Sequence, residues 1–161
     1  MSEVAAGTDG VLEQTLRIKA RPETVWRYWT DPERLCDWWG SAAELAPEPG
    51  GTCRVEMGPS DAPVMSGRYL ELEPHHRLVF SFGWERTATD SEHAMDDVPP
   101  GSTRVEVTLV ADGQDTILTL RHLGLPPRHT DAHGGGWAHF LGNLAQHLAT
   151  IAAPTEPGAT P

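Results

Sequence analysis

The stretch Pro22-Glu-Thr-Val-Trp-Arg-Tyr-Trp-Thr-Asp-Pro-Glu-Arg-Leu-Cys-Asp-Trp-Trp-Gly40 holds two helix starts and four tryptophans in nineteen residues. Pro22 and Pro32 suit the first helical position, where a missing N–H removes no bond. Asp31 is placed to cap the second helix, and Thr30 with Glu33 also has the spacing of a capping box. Val25, Trp26 and Trp29 give the first helix an apolar side, Leu35, Trp38 and Trp39 do so for the second, and Gly40 ends it. Two such short helices cannot bury four indoles between themselves. They need a large apolar surface, and the rest of the chain supplies it as a sheet.

Outside this stretch the hydrophobic period is mostly two. Leu12, Gln14, Leu16 and Ile18 share one face, and Cys53, Val55 and Met57 another. Ser66, Arg68, Leu70 and Leu72 share a phase before the turn Glu73–His76. Leu78, Phe80, Phe82 and Trp84 follow it. Val105, Val107 and Leu109 precede a turn at Ala111–Gln114, with Leu118, Leu120 and His122 after it, and a weaker strand is expected at Glu44–Ala46. The alternate positions Arg54, Glu56, Glu71, Arg104, Glu106, Thr119 and Arg121 are polar. One wet and one buried face is the signature of an antiparallel sheet. The last element reads as a helix through His133, Trp137, Leu141, Leu144, Leu148 and Ile151, with Phe140 widening the stripe. Gly134-Gly135-Gly136 weakens its first turn, so regular helix is expected from nearer Trp137. Residues 86–101 are acidic and read as a long mobile loop.

These elements predict an α+β chain: a curved antiparallel sheet of about six to seven strands around a long C-terminal helix, with two short helices after the first strand. One domain spans 10–152, between flexible tails at 1–9 and 153–161. The net charge of −11 disfavours nucleic acid. No apolar run approaches ~18 residues, so no membrane span is expected. The N-terminus lacks a basic and an apolar region, so a cytoplasmic location is expected, with Cys36 and Cys53 as reduced thiols.

The pieces Pro22-Glu-Thr-Val-Trp26, Thr30-Asp-Pro-Glu33, Trp38-Trp-Gly40, Pro49-Gly-Gly51, Gly67-Arg-Tyr-Leu70, Arg77-Leu-Val-Phe80, Thr103-Arg-Val-Glu-Val107, Leu118-Thr-Leu-Arg-His122 and His133-Gly-Gly-Gly-Trp137 cover roughly residues 11–151. In order and spacing they resemble the START-like, helix-grip superfamily of polyketide cyclases, dehydrases and lipid carriers. Within it they are similar to bacterial proteins related to the activator of heat-shock protein 90 ATPase. The resemblance implies the helix-grip fold. Its motifs describe burial of side chains and carry no catalytic signature.

Strand phase selects the candidate site. Ser66, Arg68, Phe82, Trp84, Leu120 and His122 are read as facing inward at one end of the sheet. The final helix starts at that end with His133, Trp137 and Leu141. Arg68 would serve a ligand carboxylate, phenolate or enolate, or else pair with Glu44, Glu48 or Glu85. His122 and His133 are proton carriers near neutral pH, or else a hydrogen-bonded core histidine and a helix anchor. Trp84 and Trp137 are core rings or a ligand platform. No metal is expected: His129 and His133 are four apart, but no HExxH occurs. No nucleophile motif or phosphate-binding glycine loop occurs either, so no cofactor is expected. Three functions remain open. The first is a small-molecule binding protein for an apolar or aromatic, and with Arg68 anionic, ligand. The second is a cyclase, dehydratase or hydrolase using His122 or His133 with Arg68, its catalytic residues otherwise unknown. The third is a co-chaperone-like interaction domain. A weak homodimer is an expected form of any of them.

Overall fold

In a computed structural model of the chain, which describes residues 11–58, 62–86 and 98–152, both proline-led helices form. Helix α1 spans Pro22–Thr30 and α2 spans Pro32–Leu35, each with its proline at the start. Asp31 caps α2 by accepting from the Glu33 N–H at 3.1 Å and pairs with Arg34 at 2.7 Å. Thr30 takes no part in a capping box. It lies one residue ahead of the true N-cap, and its hydroxyl donates back to the Trp26 carbonyl at 3.0 Å. Trp29 packs against Trp38 with ring centroids 4.7 Å apart, and the Trp38 indole N–H donates to the Tyr28 carbonyl at 2.9 Å. Gly40, at φ +84, turns the chain out of the helix pair where a Cβ would strike Val55.

The strands are β1 (Leu12–Ile18), β2 (Ala42–Leu45), β3 (Thr52–Glu56), β4 (Val64–Glu73), β5 (Arg77–Phe82), β6 (Trp84–Arg86), β7 (Thr103–Asp112) and β8 (Asp115–Leu123). They form an antiparallel sheet in the order β1-β8-β7-β5-β4-β3-β2, with β6 pairing β4 off this path. The core lies between the inner face of the sheet, the α1–α2 pair and helix α3 (Thr130–Ala152). On the outer face Glu106 is buried beneath three arginines: Arg104 at 2.8 Å, Arg121 at 3.3 Å and Arg77 at 3.7 Å.

Two expectations are corrected. In β4 the pairing advances from Tyr69↔Phe80 to Glu71↔Val79, two steps on β4 against one on β5. Leu70 is therefore the extra residue of a β-bulge and is 45% exposed. The bulge reverses the inward phase. Leu72 still packs on the core, but upstream it is Met65 and Tyr69 that face it. Ser66 and Arg68 point outward. Helix α3 also begins earlier than its glycines suggest. It runs from Thr130 through all three, after a 3-10 turn at Pro127–His129, and the Gly134 carbonyl accepts from Gln14 on β1 at 2.8 Å. Its buried stripe ends at Leu148, and Ile151 is 60% exposed. The expected tails and most of the acidic loop lie outside the described residues.

Candidate functional site

Where α3 crosses the inner face of the sheet near β6, it leaves a pocket of about 150 Å³. Helix α3 contributes one face at spacings of three and four: Ala132, His133, Gly136, Trp137 and Phe140. Opposite lie Phe82 at the end of β5, Trp84 on β6, Met57 after β3, and Trp39. Of the nine site residues read from sequence, Phe82, Trp84, His133 and Trp137 line this pocket. Leu120, His122 and Leu141 lie one layer deeper in the core. Ser66 and Arg68 are on the other side of the sheet, in a separate polar cleft. The residues absent from that reading carried visible signals. Met57 continues the phase of Cys53 and Val55, Phe140 follows Trp137 by three, and Trp39 belongs to the apolar side of the second helix.

The polar groups behind the pocket form two closed chains. In the first, the Trp137 indole N–H donates to His122 Nδ1 at 3.0 Å, and His122 Nε2 meets Thr103 Oγ1 at 2.9 Å. The Thr103 hydroxyl in turn donates to the Phe82 carbonyl at 2.8 Å. An indole N–H is only a donor, so Nδ1 must be bare. The threonine has given its proton to a carbonyl, so Nε2 must carry one. In the second chain the Trp84 indole donates to His133 Nε2 at 3.2 Å, and His133 Nδ1 donates to the His129 carbonyl at 2.9 Å. The tautomers are thus opposite, and each histidine is neutral with both nitrogens engaged. Burial, reinforced by the nearby His133, lowers the His122 pKa to about 3. Burial lowers that of His133 as well, against the raising effect of its bond to the His129 backbone. The rings stand 5.8 Å apart, edge to face, with Phe82 at 4.5 Å from His122 and 5.9 Å from His133.

This arrangement offers a ligand aromatic faces and edges, a thioether and a helix glycine, with no arginine or lysine among the described residues of the wall. Among the described residues no group of three or more His, Cys, Asp or Glu is placed to hold a metal ion. Both thiols are free, and burial pushes the Cys53 thiol up to about 12, which keeps it protonated and unreactive.

A twisted antiparallel sheet gripping one long helix, with a pocket between them, defines a START-like domain. The family described as "Activator of Hsp90 ATPase homolog 1-like protein" matches residues 19–149, and the chain belongs to that family. It is 35% identical to the AHSA1-like protein of Rhizobium etli, covering 99% of this chain and 94% of that one, with a TM-score of 0.63. It is 26% identical to DynU16, a protein of the dynemicin biosynthetic locus, at a TM-score of 0.72; the match covers 89% of this chain but spans only 48% of DynU16. The Aha1 dimer from Colwellia psychrerythraea shares the fold at 18% identity and a TM-score of 0.70, over 89% of this chain and 98% of that one. No curated protein matches the chain.

Proposed function

We propose that this chain binds a small, uncharged apolar or aromatic molecule in the pocket between the sheet and α3, and that it holds this molecule without transforming it. The observation that carries the reading is the engagement of all four ring nitrogens of His122 and His133 by protein partners, behind a wall of aromatic side chains. A general acid or base needs a nitrogen within reach of the substrate and a pKa near the working pH. His122 has neither, and His133 has both nitrogens engaged and a lowered pKa. The anionic ligand expected from Arg68 is withdrawn for this pocket, because Arg68 lies across the sheet. The volume supports one inserted ring or a short alkyl branch, since apolar cavities of about 150 Å³ take up benzene. A co-chaperone role has less support. The exposed large hydrophobics among the described residues are Leu70, Val110 and Ile151, on three different elements. In this reading the protein works in the cytoplasm, reaches no nucleic acid, and associates at most as a weak homodimer.

The test uses indole as the probe, followed by backbone amide shifts. Saturable shifts are expected at Ala132, Gly136 and Phe140. Gly136 borders the pocket, and open space surrounds the position its Cβ would take. Gly136→Leu should therefore fill the pocket and weaken indole binding at least tenfold, while raising helix stability by up to ~1 kcal/mol. Unchanged binding in a folded Gly136→Leu variant would refute the site.

A further inference from the structure

The residues that the bulge in β4 turns outward form a site of their own. Ser66, Arg68, Thr52, Ser81, Pro100 and Gly101 line a cleft of about 270 Å³ on the outer face of the sheet. We propose that this cleft binds the phosphate group of a small phosphate ester. The first observation is the state of Arg68. The chain has 23 acidic residues against 12 lysines and arginines, so carboxylates are in surplus. The other strand arginines with described side chains each take two. Arg17 pairs with Asp112 and Asp115, Arg54 with Glu56 and Glu85, Arg77 with Glu71 and Glu106, Arg104 with Glu71 and Glu106, and Arg121 with Glu13 and Glu106. Arg68 has no carboxylate within 4.0 Å among the described residues. One Nη1 bond, to the Gly50 carbonyl at 3.0 Å, orients its guanidinium and leaves the remaining N–H groups open.

The second observation is what surrounds it. Thr52 stands directly opposite Arg68 in the β3–β4 register, and Ser66 is the next outward residue on β4. No hydrogen bond engages either hydroxyl among the described residues. Ser81 Oγ accepts from the Arg68 backbone N–H at 2.9 Å and donates to the Arg68 carbonyl at 3.5 Å, which fixes the serine against the Arg68 backbone. The open hydroxyls of Thr52 and Ser66, the anchored hydroxyl of Ser81 and a guanidinium fork thus converge on one cleft, with no carboxylate among its described lining residues. A planar carboxylate would be satisfied by the fork alone. A tetrahedral phosphate has further oxygens for the hydroxyls. The net charge of the chain acts weakly here, because bulk salt screens charges beyond ~8 Å. The site lies across the sheet from the apolar pocket, so either can exist without the other.

The test is an amide-shift titration of the intact chain with glycerol 3-phosphate, inorganic phosphate and acetate, each at matched ionic strength. Glycerol 3-phosphate should give saturable shifts at Gly67, Arg68 and Gly101, together with the Arg68 Nε–H. Inorganic phosphate should reproduce them more weakly, and acetate should not saturate. Arg68→Gln should weaken glycerol 3-phosphate at least tenfold with an unchanged melting temperature, because the side chain is exposed. Ser66→Ala should weaken it severalfold, and Arg104→Gln should leave it unchanged. Shifts that stay linear, that acetate matches, or that survive in Arg68→Gln would overturn the proposal.

Discussion

Acid should destabilise this protein through one identifiable residue, His122. Its imidazole is fully buried, accepts from Trp137 at Nδ1 and donates to Thr103 from Nε2. Protonation would set an N–H at Nδ1 against the N–H of Trp137 in a fully buried site. The folded pKa is accordingly lowered to about 3 from an ordinary 6.5. Below pH 6.5 the unfolded chain takes up this proton and the folded chain does not. The contribution is therefore complete above about pH 6.5 and is lost as pH falls toward 3. At pH 4 the unfolded group is 2.5 units below its own pKa, and at about 1.4 kcal/mol per unit the loss is roughly 3 kcal/mol. Urea unfolding followed by tryptophan fluorescence, from pH 4 to 7.5, reads this directly. Carboxylates also respond in that range, so the comparison is with His122→Gln, which keeps every other titrating group. The variant is expected to be less stable at pH 7 but to lose roughly 3 kcal/mol less than the parent on acidification. Parallel profiles, or a His122 ring that titrates near 6.5 by NMR, would refute the reasoning.

Two further substitutions probe the core and the sheet. Trp137→Phe leaves the His122 acceptor unmet, whereas the buried Trp29 indole N–H has no partner among the described residues; by thermal denaturation Trp137→Phe should cost about 1–3 kcal/mol more than Trp29→Phe. A Cβ at Gly67 would lie 1.8 Å from the Ser81 carbonyl oxygen, a backbone atom that cannot swing aside; Gly67→Ala should lose more than ~3 kcal/mol or fail to fold, and a melting point near the parent's would contradict the close β4–β5 approach.

The helices and most strands were legible because each had its own periodic signal with a physical stop. Pro22, Pro32 and Asp31 marked helix starts by what their backbone and side chain can do. Leu118, Leu120 and His122 keep strict alternation, which places His122 inward, and there it is buried opposite Val105 and hydrogen-bonded to Thr103. Arg68 failed on the same rule. Alternation read backward from Leu70 and Leu72 crosses a bulge that no residue type announces, and one inserted residue moves every upstream side chain to the opposite face. The glycine run misled for a different reason. Helix propensity is a local quantity of about 1 kcal/mol per glycine, and the contacts of His133 and Trp137 on either side of the run outweigh it.

The two histidines illustrate what burial does to a residue chosen for its titration. An inward imidazole among apolar neighbours must find one donor and one acceptor, or it is destabilising by the desolvation of a polar group. Here each is matched to a tryptophan, which can only donate, so each is held as a neutral acceptor toward the pocket side. The consequence runs in the other direction as well. The bonds to His122 and His133 fix the rotamers of Trp137 and Trp84, two walls of the pocket, before any ligand arrives. Under the proposed function a ligand meets rings that are already ordered, which lowers the entropy lost on binding. Protonating His133 would turn its Nε2 into a donor facing the Trp84 N–H and release that wall. Loss of the pocket and loss of stability in acid therefore share one cause, the conversion of an acceptor to a donor behind an indole. Under the proposed function, the residues that suggest proton transfer in the sequence instead hold the walls of the pocket in shape.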